Sequence, residues 1–350
     1  MLRTTLMTLA TGLTLLACTA STALGQEAAP LPKPRLQIPG SPAALSPKGE
    51  RVLWLARGEA KEGEKRGGFE IHALDLSDAA AKPRKVLDLN LPSDDYYSYL
   101  HNGGPRQWAP AGDRFGFTTR SGPKGSYVCG IATLDGKTQV FKGETDTFLL
   151  CFDPRGTGGY YVEGNFKGRP PGFELRTFGG DAERVVYASE SDSIYFLDPS
   201  PQGTRLGLIL GNRKVGLSVG ILELKTGKLT KSKPIRVDDH FLKPRLQWTP
   251  SGDALILTTR GKAGKWPANV VRCDAKSGEL KVLVAEAGWA VGGVLRNGLV
   301  SLYDRSEKKV ALLDPKTGTL SVPNGEVFVL QQVKGRSLVF EPKRRALFVD

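Results

Sequence analysis

The sequence contains very little histidine, methionine and cysteine. Among 350 residues there are three histidines, two methionines and four cysteines. No histidine stands at the spacing from a cysteine or another histidine that zinc sites use, and no acidic loop of the calcium-binding D-x-D-x-D-G type occurs. The sequence therefore predicts no metal site and no cofactor.

Long hydrophobic runs are scarce as well, and the one near the start has the features of an export signal. Arg3 supplies a positive charge, Leu6 to Leu16 an apolar stretch, and Ala23-Leu24-Gly25 a cleavage site, which predicts a signal peptide over residues 1–25. The run is too short to span a bilayer as a mature helix. An alternative is a lipoprotein signal that ends before Cys18, which would then be lipidated and anchor the protein to a membrane. Both interpretations place the protein in the periplasm or at the cell surface.

The remaining chain predicts a tether and one domain. Residues 26–34 are rich in proline and alanine and form the predicted tether, and residues 35–350 form a single domain, which we expect to be a monomer. After export the odd set Cys129, Cys151 and Cys273 remains. Cys129 and Cys151 lie on neighbouring repeat units and either pair or stay as buried thiols.

A glycine turn between two apolar stretches recurs seven times. The turns end at Gly49, Gly112, Gly156, Gly203, Gly252, Gly298 and Gly335. They follow one another about every 48 residues, a period typical of β-propeller blades and other repeat arrays. Proline in most of these turns presets a tight bend, and glycine accepts the positive φ that such bends require.

A second series of tight turns follows the first, at Asp135-Gly136, Gly179-Gly180, Thr226-Gly227, Ser277-Gly278 and Thr317-Gly318. Each unit therefore has four antiparallel strands, and the fold class is an all-β propeller with seven four-stranded blades. The seventh unit has only three strands of its own. We expect the N-terminal piece Arg35 to Ile38 to supply the fourth and close the ring. A ring of six blades with an irregular end is the alternative.

Two repeats are nearly identical around a tryptophan. Trp108 to Asp113 and Trp248 to Asp253 each place a tryptophan before the turn, and each continues into a Thr-Thr-Arg strand end. With the strand Ile71 to Asp75 and the hairpin at Thr317-Gly318, these stretches resemble the extracytoplasmic TolB-like, WD40-like propeller repeats. The resemblance implies an exported interaction module, or the non-catalytic half of a larger enzyme. It implies no catalytic residue, and the turn tryptophan is missing in blades three, four, six and seven.

One stretch matches a catalytic pattern without its context. Gly216 to Gly220 reads G-x-S-x-G, but a nucleophile elbow needs a strand before the serine and a helix after it, whereas a strand and a hairpin follow here. A secreted propeller enzyme of the lactonase, lyase or glycosidase type, with carboxylate-based or metal-assisted chemistry, stays open as the alternative function. A purely structural envelope protein is the third class. Export and the lack of a recognition motif disfavour nucleic acid as a partner.

Two loops between blades combine acids with aromatic residues or histidine. The candidate binding residues are Asp95, Tyr96, Tyr97, Tyr99, His101, Asp239, His240 and Phe241. Such loops emerge near the central channel, and aromatic residues with polar tips are typical of recognition surfaces. Fainter copies occur at Asp146 and Asp192. The structural alternative is that the recurring aspartates cap free strand amides or pair with nearby arginines.

The net charge completes the sequence-based hypothesis. Forty-nine lysines and arginines against 36 aspartates and glutamates give +13, and such an excess attracts polyanions. The leading prediction is an exported, non-catalytic propeller that binds a protein or polyanionic glycan partner in the cell envelope.

Overall fold

A computed structural model describes most of the chain after residue 35. The described residues are 36–40, 43–59, 68–89, 108–121, 126–156, 158–164, 172–180, 183–212, 215–235, 246–260, 268–287, 289–304, 307–322, 328–333, 336–341 and 346–349. Across these ranges the regular secondary structure is entirely β. The predicted signal peptide, Cys18 and the predicted tether lie outside them.

Twenty-seven strands form seven sheets in the part of the chain that the structure describes. The first thirteen are β1 Leu36–Ile38, β2 Ala43–Leu45, β3 Arg51–Arg57, β4 Phe69–Asp75, β5 Arg84–Leu89, β6 Arg114–Arg120, β7 Tyr127–Thr133, β8 Thr138–Phe141, β9 Asp146–Phe152, β10 Gly159–Gly164, β11 Phe173–Phe178, β12 Val185–Ser189 and β13 Ser193–Pro199. The remaining strands are β14 Arg205–Asn212, β15 Gly216–Glu223, β16 Leu229–Lys231, β17 Gln247–Trp248, β18 Ala254–Arg260, β19 Ala268–Asp274, β20 Leu280–Ala287, β21 Trp289–Val294, β22 Val300–Asp304, β23 Lys309–Leu313, β24 Leu320–Ser321, β25 Phe328–Val333, β26 Arg336–Glu341 and β27 Ala346–Val349.

Each sheet is one blade of consecutive antiparallel strands. Blade one is β2 to β5, blade two β6 to β8, blade three β9 to β12, blade four β13 to β16, blade five β17 to β20, blade six β21 to β24, and blade seven β25 to β27 with β1. In blade two the innermost position is held by Trp108, which bridges to Phe115. The first strands of successive blades contact one another, so they line the centre of the ring. The prediction of seven blades is confirmed, and the six-blade alternative is wrong.

The repeated turns have the expected backbone. Gly49, Gly203 and Gly252 adopt φ of 73°, 64° and 68°, and each amide donates to the carbonyl three residues earlier at 2.8–2.9 Å. The side-chain hydroxyls of Ser46 and Thr249 accept the amide of the first residue of the following strand at 3.0 and 3.2 Å. The turn chemistry in the sequence therefore sets the boundary between the first and second strand of a blade.

The two turn tryptophans fill the space between neighbouring blades, as predicted. Trp108 is 2% exposed and its indole Nε1 donates to the carbonyl of Ala44 in blade one at 3.1 Å. Trp248 is 4% exposed and donates in the same way to Asp198 in blade four at 2.9 Å. Because a buried indole N–H needs a partner, each ring is both packed and anchored to the preceding blade.

The N-terminal strand completes blade seven, which confirms the predicted closure. β1 pairs antiparallel with β27, with Leu36 opposite Val349 and Ile38 opposite Leu347. A second contact spans the same closure at the centre of the ring. The Gln331 side chain accepts the amide of Leu45 at 2.8 Å and donates to its carbonyl at 3.0 Å. The closed ring covers the sheet edge that blade seven would otherwise expose.

The three cysteines within the described ranges are free. Cys129, Cys151 and Cys273 are all buried and unpaired, so a Cys129–Cys151 disulfide does not form. Burial raises the pKa of the Cys129 and Cys273 thiols to about 12, so both remain protonated and inert. None of the described residues belongs to a helix long and apolar enough to cross a membrane.

Candidate functional site

The predicted binding residues lie outside the described part of the structure, in loops whose ends are described. Asp95, Tyr96, Tyr97, Tyr99 and His101 belong to the segment between β5 and Trp108. Asp239, His240 and Phe241 belong to the segment between β16 and β17. Their convergence on one site therefore stays a prediction.

Strand direction assigns every loop to one of two faces of the ring. Loops between blades and loops joining the second to the third strand of a blade emerge on one side, called the junction face here. The turns joining the first to the second strand, and the third to the fourth, emerge on the other side, called the turn face. Both segments with the predicted binding residues belong to the junction face.

The two faces differ sharply in charge. The seven loops joining second and third strands, called the outer loops, contain fifteen lysines and arginines against four acids, a net charge of +11. The loops of the turn face contain eleven basic and ten acidic residues, a net charge of +1. The loops between blades hold six basic and eight acidic residues. In the sequence, the outer loops of the junction face are therefore strongly basic, and the loops between blades are weakly acidic.

Two of the recurring junction aspartates have structural partners. Asp146 accepts the backbone amide of Tyr127 in the preceding blade at 2.9 Å. Asp192, which is buried, accepts from the Asn212 amide at 3.0 Å and pairs with Lys231. The hydrogen bond to Asp192 raises the pKa of Lys231. Both aspartates therefore have structural partners, but Asp146 accepts the amide of a third strand and not of an inner strand, and Asp192 pairs with a lysine and not with an arginine.

A cleft of about 710 Å³ opens on blade three. It lies on the face of that blade that turns toward blade two, where Tyr161 stacks on Phe141 with ring centroids 5.2 Å apart. Its walls are strands β10, β11 and the end of β12, together with residues 142–145, which lead from blade two into blade three. The ionisable side chains of this blade-three cleft are Lys142, Glu144, Tyr161, Glu163, Glu174, Arg176, Glu183 and Glu190.

Two glutamates stand directly opposite each other in the cleft. Glu163 on β10 is the register partner of Glu174 on β11, and like charges in such a pair repel. Arg176 lies beside both, with Nε 2.9 Å from Glu163 and Nη2 2.5 Å from Glu174. Burial lowers the pKa of Arg176, but the hydrogen bond to Glu174 and the charge of Glu163 outweigh that effect and raise it.

Glu163 is the most buried acid of the cleft and is fully engaged. It is 9% exposed, and its Oε1 accepts the amides of Glu144 at 2.7 Å and Thr145 at 3.4 Å. Gly143 makes this approach possible, because a Cβ at that position would lie 2.2 Å from the Glu163 carboxylate. Glu163 thus ties the segment entering blade three to the wall of the cleft.

Tyr161 and Glu183 form the other end of the cleft. The Tyr161 hydroxyl donates to Glu183 Oε2 at 3.1 Å. Burial, and after it the negative charge of Glu183, raises the pKa of Tyr161. The phenol therefore stays protonated at neutral pH and acts as a fixed donor that orients the Glu183 carboxylate.

One feature of the sequence marks Glu163 as unusual, although it does not place the cleft. The second strand of blade four is apolar on both faces from Leu206 to Leu210, whereas β10 places Glu163 directly after the apolar run Tyr160 to Val162. An acid in a strand buried between two blades needs partners, and those partners here are Arg176 and two backbone amides.

Other sequence candidates have ordinary structural surroundings. Ser218 of the G-x-S-x-G match lies within strand β15, paired with Leu210, and so is not on an elbow. His72 stacks on Trp54 and its Nε2 is 2.9 Å from Glu70. Within the described ranges no three or more His, Cys, Asp or Glu residues are grouped to hold a metal ion.

Comparison with known proteins supports the fold of the chain and does not bear on its function. No family model and no curated protein matches the chain. The β-propeller domain of the Trilobed protease from Pyrococcus furiosus, described as having an open velcro topology, is 15% identical with a TM-score of 0.56, over 91% of this chain and 94% of that one. An acylaminoacyl peptidase from Pyrococcus horikoshii is 11% identical with a TM-score of 0.54, over 86% of this chain and 48% of that one. This chain thus spans about half of the peptidase.

TolB from Acinetobacter baumannii is also similar, at 20% identity over 86% of this chain and 79% of that one, but the TM-score is only 0.44. The chain is a seven-bladed β-propeller. It completes its last blade with the N-terminal strand β1.

Proposed function

We propose that this protein is an exported, non-catalytic β-propeller that binds an anionic partner, a protein or polyanionic glycan of the cell envelope, on its junction face. One observation carries the proposal: the outer loops of that face hold a net charge of +11, whereas the loops of the turn face hold +1. Charges separated by more than about 10 Å are largely screened at moderate salt. The attraction of an anionic partner therefore depends on the charge of the face it approaches and not on the net charge of the whole molecule.

The rigid ring suits this role. Loops fixed at both ends by paired strands present their side chains from a closed scaffold, which lowers the entropy lost on binding. We place contact residues of the partner at the centre of the same face, at Asp95, Tyr96, Tyr97, Tyr99, His101, Asp239, His240 and Phe241. The resemblance to TolB-like, WD40-like repeats and the signal sequence are the support for an interaction module outside the cytoplasm.

Charge reversal on either face tests the polyanion surface. Lys262→Glu/Lys265→Glu/Lys343→Glu alters outer loops of blades five and seven. The matched control Lys225→Glu/Lys228→Glu/Lys276→Glu alters exposed turn-face lysines and changes the net charge equally. On immobilised heparin, used as a polyanionic glycan, the first variant should elute at clearly lower salt and the control close to wild type. Equal shifts in both variants contradict a face-specific site.

The central contact residues need a separate test. Tyr97→Ala/His240→Ala should lose specific partners in affinity capture from a native envelope extract at moderate salt, while its retention on heparin stays unchanged. Circular dichroism and the thermal midpoint confirm that the variant is folded. Recovery of the same partners at the same yield by wild type and variant shows that these residues are not the binding site.

A further inference from the structure

We propose that the blade-three cleft binds a cationic group, an alkylammonium or guanidinium, carried by a lysine or arginine side chain of a polypeptide or by a free polyamine. The described lining of the cleft includes none of the predicted contact residues. Different variants therefore test the two sites, and each can fail without the other.

The size of the cleft suits such a ligand. Its volume of about 710 Å³ lies within the range of small-molecule sites. Between blades four and five, by contrast, described apolar side chains pack in a cluster around Trp248, Leu255 and Leu257. On blade three the apolar cluster ends at Phe141, Tyr161 and Phe178, and the space beyond them is open and polar.

The net charge of the residues that line the cleft indicates that the ligand is positively charged. Five glutamates face two cations among the residues that line the cleft, a net charge of −3 in a protein of net charge +13. Arg176 is already shared between Glu163 and Glu174, so it neutralises only one of that pair. Of the five glutamates Glu163 is buried, Glu174 is partly exposed, and Glu144, Glu183 and Glu190 are exposed. Neighbouring carboxylates repel one another, and a bound cation relieves that repulsion.

The geometry shows which acids would contact the ligand. Glu163 is buried, accepts two backbone amides and forms an ion pair with Arg176, and we therefore assign it a structural role. Glu174 uses one oxygen on Arg176, and Glu183 uses one oxygen on the Tyr161 hydroxyl. The second carboxylate oxygens of Glu174 and Glu183 are the acceptors that we assign to the ligand, with Tyr161 as the residue that positions Glu183.

Gly172 offers a way to block the cleft without altering its charge. A Cβ at Gly172, which lines the cleft, would meet no heavy atom within 4 Å, and its φ is not positive.

Calorimetric titration at low ionic strength tests the site. The probes are acetyl-Gly-Lys-Gly-amide, the same peptide with norleucine in place of lysine, and spermidine. Wild type should bind the lysine peptide or spermidine and not the norleucine peptide, and the preferred probe identifies the source of the cation. Glu174→Gln/Glu183→Gln should weaken binding at least tenfold, and so should Gly172→Trp. Glu50→Gln/Glu279→Gln, which neutralises two exposed acids elsewhere, should leave binding unchanged.

Two results overturn the proposal. One is equal affinity of the Glu174→Gln/Glu183→Gln and Glu50→Gln/Glu279→Gln variants for the cationic probe. The other is absence of binding of the lysine peptide and of spermidine to wild type.

Discussion

Blade three has two unlike faces built from the same strands. Toward blade four, Val162 and Leu175 are fully buried in an apolar cluster with the strands of that blade. Toward blade two, their immediate neighbours Glu163, Glu174 and Arg176 line the polar cleft. Since successive side chains of a strand point to opposite faces, a change at alternate positions alters one blade interface and leaves the other intact. A propeller can thus acquire a polar site between blades without losing its ring.

The comparison depends on a closed ring, and the largest predicted effect is the loss of closure. Deleting residues 26–39 removes β1, with its pairing to β27 and the buried Ile38. We expect a loss of roughly 3–6 kcal/mol in the free energy of unfolding, from several backbone hydrogen bonds and one buried aliphatic side chain. Urea denaturation measures it. Deleting only residues 26–34 keeps β1 and should leave the midpoint near that of wild type.

If the two deletion variants have the same urea midpoint, β1 does not stabilise the ring. The ring would then be open between blades seven and one, and the comparison of the two faces of blade three would apply to an open propeller. The closure contact of Gln331 with Leu45 gives an independent check. Gln331→Leu should lower stability by about 1–3 kcal/mol, because it leaves the buried amide and carbonyl of Leu45 without these partners.

The two faces should respond differently to single substitutions at neighbouring residues. Leu175→Ala empties a fully buried site on the apolar face and should cost about 2–5 kcal/mol. Arg176→Met, on the cleft face, leaves Glu163 and Glu174 opposed without a cation. Since the Arg176 side chain is 31% exposed, we expect a smaller loss of about 1–3 kcal/mol.

A double variant separates repulsion from packing on the cleft face. Arg176→Met/Glu174→Gln removes one of the opposed charges and should recover part of the stability that Arg176→Met loses, measured by the same urea denaturation. Leu175→Ala should gain nothing from Glu174→Gln. Absence of recovery in the Arg176→Met background would show that Arg176 acts on the cleft by packing and not by charge.

The ring was predictable from the sequence, whereas the cleft was not. The turn glycines and turn tryptophans are local features that recur along the sequence, and their recurrence predicts the blades. The seventh unit has only three strands of its own, which predicts that the N-terminal strand closes the ring. The cleft depends on which face of β10 and β11 meets blade two, and on the register that sets Glu163 opposite Glu174. Neither follows from spacing along the chain. The predicted contact residues, such as Tyr97 and His240, remain predictions because they belong to the undescribed junction loops.

The smallest effect expected is a pH dependence confined to the cleft face. The raised pKa of Tyr161 means that the folded protein keeps a proton which the unfolded chain, with a tyrosine pKa near 10, releases. Above about pH 10 the unfolded state therefore gains free energy by ionising, and stability falls as the pH rises. Tyr161→Phe removes this contribution. Its stability should decline less than that of wild type in thermal melts between about pH 9 and 11.

Tyr160, on the opposite face of the same strand, has a pKa raised to about 12, mainly by burial. Tyr160 therefore also lowers the stability of the protein as the pH rises. Tyr161→Phe leaves this contribution in place, so the stability of the variant should still fall with pH, but less steeply than that of wild type. Tyr195→Phe, at a tyrosine that is 40% exposed, is the matched control and should follow the wild-type curve. The dependence of stability on pH should not coincide between Tyr161→Phe and wild type. Coincidence would mean that burial and Glu183 do not keep the Tyr161 phenol protonated, and it would contradict the role of Tyr161 in orienting Glu183 toward a cation.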